Sequence, residues 1–435
     1  MTSTPVTFTQ LPNGLTIHLK EIHTAPIISH WVWYRVGSRN ETPGITGISH
    51  WVEHMMFKGT KMFPSGVLDK AISREGGYWN AFTYLDWTTY FETLPADKID
   101  LALRLEANRM VETEFVPEEV DSERTVIISE RQGHENEPLF RLGEAVQKAA
   151  FRSHPYHHEV IGEVEDLQKI TRDDLYNHYR GHYNPSNAVV ALAGDFDTQA
   201  MLARLQELYG NMPAGNVPEY HPALEAPQSA EQRLEVSGPG HTTYLQLAYR
   251  APAAAHPDFF AFSVLDSLLT GATGLNMFGG GGVSNKTSRL YRKLVEGELV
   301  VNVSGGLQAT LDPFLYDITA TVRPGRTPQE ALSVIDSEIQ RLQDGQVSAE
   351  EIARAIKQAR ALFAYGSENI TNQAFWLGYA EMFDHYAWFE QYTERLAQVT
   401  AQDIQRAAQE YLVPSNRVVG AYLPTGEESG EEEEE

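Results

Sequence analysis

His50, Glu53 and His54 stand in the order H-x-x-E-H within SHWVEH. Imidazoles four residues apart share one face of a helix and can converge on a single cation. Glu53 falls between them in angle, within reach of a water held by that cation. The chain contains no cysteine, so disulfides and thiolate sites are excluded, and any metal must be bound by His, Asp or Glu. A catalytic Zn²⁺ takes three protein ligands and keeps a fourth position open, which leaves the two imidazoles one ligand short. Such a cation lowers the pKa of its water to about 7, and a neighbouring carboxylate can take the proton. The chemistry in view is zinc-assisted hydrolysis, with Glu53 as general base.

The elements that must position these groups are read from periodicity and turn residues. LPNGLTIHL and IISHWVWYRVGS predict strands, the first opened by an Asn13-Gly14 turn. Helical signals follow at about 45–57, 65–75, 97–112 and 117–134, with a further strand near 87–95. Strands and helices mix without strict alternation, which predicts an α+β fold with mixed, mainly antiparallel sheets.

The chain also repeats itself. Thr171, Asp174, Pro185, Ser186, Asn187, Val189 and Val190 recur as Thr400, Asp403, Pro414, Ser415, Asn416, Val418 and Val419, all at the one offset of 229. Each copy has the same logic: a Thr N-cap with an acid three residues on, a Pro-Ser-Asn break, then a β-branched strand. Two homologous domains are expected, a metal-binding one over 1–212 and a non-metal one over 234–426. A Pro- and Ala-rich linker over 213–233 is expected to join them, and the acidic tail over 427–435, seven of its nine residues being Glu, is expected to be disordered. The second half predicts strands near 242–250 and 301–320 and helices near 257–270, 327–343 and 348–366.

At 435 residues the chain exceeds what one core usually serves, and its 42% hydrophobic content is ordinary for a folded protein. A formal charge of −25 argues against a nucleic-acid partner, which needs clustered Lys and Arg. No apolar run is long enough to cross a bilayer. The start, MTSTPVTFTQ, has neither the signal-peptide pattern nor the Arg-rich transit pattern, so the expected location is cytoplasmic.

Around the motif, SHWVEHMMFKGT resembles the signature of the pitrilysin (insulinase) type of zinc peptidase, the family that includes mitochondrial processing peptidase. VGSRNETPGITGISH precedes it, and GGYWNAFTYLDWTTYFETLP, SERTVIISERQGHENEP and HPYHHEVIGEVEDL follow in family order. The resemblance runs over about 10–425 and implies a zinc metalloendopeptidase binding one Zn²⁺ per chain. It implies a third ligand about 76 residues beyond the second His, at Glu130, and a second glutamate at Glu123 that orients a ligand or the water. Glu118, Glu119 and Glu135 suit a solvated helix face better. It further implies that Asn80 and Ala81 lie on an edge strand against which an extended peptide pairs through its main chain. Trp79, Phe82 and Tyr84 are open between core and pocket wall.

Members that work alone carry an Arg and a Tyr in the later domain, which hold the scissile carbonyl and the oxyanion. Here SRLYRKLVEGELVVNVSG is one residue shorter, with Val295 in place of the Arg and Val301 in place of the Tyr. Arg292 and Tyr291 stand nearby, out of position. The expectation is a metal-bearing subunit whose partner, a second family chain, supplies both donors and closes a chamber around unfolded peptides. A self-sufficient homodimer is the runner-up, and a non-catalytic structural subunit is the reading from another class. The Gly-rich run over 271–287 resembles a substrate loop of one processing-peptidase subunit, and it reads equally as a plain flexible loop. It lacks the phosphate-loop spacing.

Overall fold

The computed structural model describes residues 5–276 and 284–426. Six strands form the first sheet: β1 (Thr7–Gln10), β2 (Thr16–Glu21), β3 (Ile27–Tyr34), β4 (Tyr78–Thr83), β5 (Thr88–Pro95) and β6 (Ala188–Gly194). Their order is β1-β2-β6-β3-β5-β4, with β2 and β6 parallel and every other pair antiparallel. The second sheet holds β7 (Gln232–Gly238), β8 (Tyr244–Arg250), β9 (Val300–Leu307), β10 (Leu315–Val322) and β11 (Arg417–Pro424), in the order β7-β11-β8-β10-β9. Leaving β1 aside, both sheets follow one plan: the last strand of each inserts beside the first, in parallel, and the third lies at the far edge. The fold is α+β with two homologous halves.

The repeat seen in the sequence is a repeat of local hydrogen bonds. Asp174 N–H donates to Thr171 Oγ1 at 3.2 Å and Thr171 N–H to Asp174 Oδ2 at 2.9 Å, and Thr400 and Asp403 show the same two distances. A Pro-Ser-Asn 3₁₀ turn then returns each repeat to its sheet, and the amide of its Asn caps the preceding helix. Asn187 Nδ2 donates to His182 O at 2.9 Å and Asn416 Nδ2 to Tyr411 O at 2.7 Å.

The compact units do not follow the two halves of the chain. The first gathers the described parts of Met1–Arg131, His158–Pro222 and Ser367–Phe389, and the second those of Gln132–His157, Ala223–Gly366 and Glu390–Glu435. Helices relevant to this are α1 (Ile48–Met55), α2 (Ile99–Glu112), α3 (Pro117–Glu135), α4 (Pro138–Ala150), α5 (Arg172–His182), α6 (Asp258–Leu269) and α7 (Ile370–Tyr379). Helix α4 packs on β7, β8 and β11, whereas α7 packs on β2, β3 and β6. Their last residues, Ala150 and Tyr379, are again 229 apart, so each repeat lends its equivalent helix to the other repeat's sheet. Gly378 lets α7 approach closely, because a Cβ there would meet Trp33 at 2.2 Å, and Gly420 does the same for Leu142 and Val146 of α4.

With α7 on one face and α2 on the other, β3 is buried along nearly its whole length, which explains why six of the eight residues of IISHWVWY are hydrophobic and why they do not alternate with polar ones. Trp31 stacks on Phe91 at 4.1 Å, and Phe375 of α7 meets Trp31 and Trp33 edge-on. The stretch near 301–320, read as one strand from sequence, is two antiparallel strands, because Asp312 and Pro313 interrupt the ladder. Sequence reading also left out α4 and α7. Between Gly210 and Glu231 the chain has no helix or strand.

Candidate metal centre

Helix α1 has no side-chain cap of its own: Gly47 occupies the N-cap with φ of 86°. The orphan N–H groups are met from outside, Gly47 N–H and Ser49 N–H donating to the Glu41 carboxyl at 2.7 and 2.8 Å. Burial pushes the Glu41 carboxyl up to about 8 against those hydrogen bonds. Ser49 Oγ donates to Gly37 O at 3.2 Å and lies 3.2 Å from His178 Nε2 of α5. The helix carrying the motif is therefore fixed at its start.

His50 and His54 project from α1 with ring centroids 4.6 Å apart. Glu130, on α3, lies opposite them, its Oε2 3.9 Å from His50 Nε2 and 3.6 Å from His54 Nε2. Ligand atoms of these three residues all lie within 4.8 Å of one another, the one such group of His, Asp and Glu among the described residues. Two imidazoles and one carboxylate are a catalytic zinc set, and bonds of about 2.0–2.2 Å from a common centre fit the 3.6 and 3.9 Å separations between Glu130 and the two imidazoles. The donors fit the metal.

Glu123 lies two turns before Glu130 on the same face of α3 and is 5% exposed. Its Oε1 is 2.8 Å from His54 Nδ1, and Lys58 Nζ closes on its Oε2. Burial alone would raise the Glu123 carboxyl, but the hydrogen bonds from His54 and Lys58 hold it below its ordinary value. A His54 that donates from Nδ1 keeps its Nε2 lone pair for a cation. Burial disfavours the His54 cation too, yet the Glu123 hydrogen bond and the charges of Glu53, Glu123 and Glu130 outweigh it and raise its pKa.

Glu53 is 8% exposed, and its Oε2 accepts from Thr83 Oγ1 of β4 at 2.7 Å. Burial pushes its carboxyl up to about 7, against the Thr83 hydrogen bond that pulls it down. A base poised there suits proton transfer near neutrality.

Strand β4 is one of the two edges of the first sheet among the described strands, β1 being the other. Asn80 is exposed on it, its Oδ1 accepting the Ala81 N–H at 2.9 Å, and Ala81 is buried. Trp79 faces the α1 side, 4.7 Å from Phe57 and under the Arg109 guanidinium. Phe82 turns to the other face, parallel to Phe91, and Tyr84 leans on Trp87. Thr83, Lys58 and Glu41 were missed by sequence reasoning. Two of them had a signal: Thr83 lies two residues past Ala81 on the same strand face, and Lys58 lies one turn past His54.

In the second unit Val295 ends a π-helical turn over Tyr291–Val295, and Val301 is 57% exposed on β9. Glu298, between them, has a φ of 56°, in the left-handed region. Of the Gly-rich run, residues 277–283 lie outside the described residues, as does the acidic tail. The near flank of the run is tied down by Thr273 Oγ1, which donates to Asp266 Oδ2 at 2.5 Å.

Residues 16–164 match the family model described as Insulinase (Peptidase family M16), and residues 169–359 match that described as Peptidase M16 inactive domain. An uncharacterized zinc protease of Streptomyces coelicolor is 27% identical over 427 residues, 95% of this chain and 89% of the relative. The solved structure of a protease from Helicobacter pylori superposes with a TM-score of 0.87 at 26% identity, covering 97% of this chain and 100% of that one. The periplasmic protease PqqL from Escherichia coli shares the fold at a TM-score of 0.77 and 19% identity, with 96% of this chain matching 47% of that one.

Proposed function

The chain belongs to the insulinase family of M16 peptidases, and on that premise we propose that it is a zinc metalloendopeptidase acting on unfolded peptides. The carrying observation is the convergence of His50, His54 and Glu130 from two helices, with the Glu53 carboxyl near enough to feel the charges of His54 and Glu130. Zinc in that set would polarise the peptide carbonyl and acidify the attacking water. Glu53 takes the proton of that water and delivers it to the leaving amine nitrogen. Glu123 holds His54 in the tautomer that ligates. An extended peptide lies along β4 beside Asn80 and Ala81, held by main-chain hydrogen bonds that read little sequence.

The test has two variants. Glu130→Ala is expected to lose stoichiometric zinc, and Glu53→Gln to keep zinc while losing activity by at least about 10²-fold, the scale of a positioned general base. Cleavage of an unfolded reporter peptide and metal content by atomic absorption check both. A Glu53→Gln protein that cleaves at the wild-type rate would refute the assignment.

The same reading includes a partner. Val295 and Val301 can donate no hydrogen bond, so a second family chain supplies the Arg and Tyr that hold the carbonyl and the oxyanion. A homodimer is the second reading. Mixing experiments decide: peptidase activity of the pure chain should be low and should rise on adding the partner. A non-catalytic structural role is disfavoured by the complete set of four site residues. No described helix is long and apolar enough to cross a membrane.

A further inference from the structure

We propose that Lys58 is a positioning residue for the metal ligand His54, acting through Glu123; the inference rests on the zinc reading above. Lys58 follows α1, its N–H donating to Met55 O at 3.0 Å, so the turn continues the helix far enough to place Lys58 one turn beyond His54. The two side chains then meet one carboxylate from α3. Glu123 divides its oxygens between them, Oε1 to His54 Nδ1 at 2.8 Å and Oε2 to Lys58 Nζ.

Two anchors fix the plane of a carboxylate, whereas one leaves it free to turn about its terminal bond. Glu123 is 5% exposed, so water is poorly placed to replace a lost ammonium. Without Lys58 the carboxylate loses its second anchor, and with it the fixed acceptor that keeps the His54 proton on Nδ1 and the lone pair on Nε2. That nitrogen stands 3.6 Å from Glu130 Oε2, on the side where the cation would sit.

Charge alone predicts the opposite sign. An ammonium near a dication repels it, so removing Lys58 would tighten zinc binding if electrostatics decided. The clamp predicts weaker binding. Lys58 touches Glu123, not a ligand, and its contact with that carboxylate is the shorter-range effect. Loss of an outer partner of this kind typically costs 10–100-fold in metal affinity.

The experiment compares the full-length wild type with Lys58→Met and Lys58→Arg. It measures the zinc dissociation constant by competition with a chromophoric chelator, the visible spectrum of the cobalt-substituted protein, and melting of the zinc-free protein. Lys58→Met is expected to bind zinc about 10-fold more weakly, with an altered cobalt spectrum and a modestly lower metal-free melting temperature, because a buried carboxylate oxygen loses its partner. Lys58→Arg should restore affinity and spectrum, because a guanidinium can still anchor Oε2. Equal or tighter zinc binding by Lys58→Met overturns the proposal. So does failure of Lys58→Arg to restore zinc affinity, or a cobalt spectrum of Lys58→Met identical to that of the wild type. A wild type that holds no zinc would instead sink the peptidase reading, and it is seen before any variant is made.

Discussion

A carboxylate kept from water binds its proton more tightly, and Glu53 is the residue where that matters most. Its folded pKa of about 7 lies above the ordinary carboxylate value, so its ionised form opposes folding as pH rises from about 4.5 towards 7. Glu53→Gln should therefore raise the melting temperature of the zinc-free protein more at pH 8 than at pH 5. Differential melting at the two pH values checks this, and an equal gain at both would refute it. The Thr83 hydroxyl acts in the opposite direction by stabilising the anion across 2.7 Å. Thr83→Val removes that hydrogen bond without changing shape much. The acid limb of the rate profile should move to higher pH, because the base must be ionised to act. Profiles of kcat/KM against pH for the two proteins settle the direction.

Elements are held by local rules that the repeat makes testable twice. Thr171 and Thr400 make the same reciprocal cap at the same distances. Replacing either by Ala should cost about 1 kcal/mol, and about equally, as measured by denaturant midpoints. Glu298 is the opposite case, a side chain in the left-handed region at φ of 56°. Glu298→Gly relieves a strain of about 1 kcal/mol or more and should raise the midpoint of the unit it belongs to. The exchanged helices carry a stricter demand. A methyl on Gly378 would sit 2.2 Å from Trp33, so Gly378→Ala forces α7 off its sheet and should lower stability by about 1–3 kcal/mol. Thermal melting near that value confirms that α7 is packed on β3, whereas a neutral result contradicts it.

At the scale of the whole molecule, charge is the property that outlasts detail. A formal charge of −25 attracts cationic peptides at low ionic strength and repels anionic ones. Matched basic and acidic reporter peptides should differ in kcat/KM, with the difference shrinking as salt rises, since screening acts within about 10 Å at 0.1 M. Equal rates at low salt would discard the preference.

Much of this was legible in the chain itself, because it depends on near neighbours. The spacing of His50 and His54, the order of Glu53 between them, the reciprocal caps at Thr171 and Thr400 and the mixed pattern of strands and helices are all set within a few residues. Contacts across long separations were not legible. Thr83 reaches Glu53 and Lys58 reaches Glu123 only once β4 and α3 are folded against α1. Glu41 is near the start of α1 in sequence, but no helical or strand period predicts the loop that turns it back. Nor could periodicity reveal that α4 and α7 change places, since an amphipathic helix announces that it has an apolar face but not which sheet will cover it. Composition and spacing determined which chemistry the side chains could perform. Tertiary packing decided which of them meet, because bringing distant segments together depends on complementary buried surfaces that no local pattern encodes.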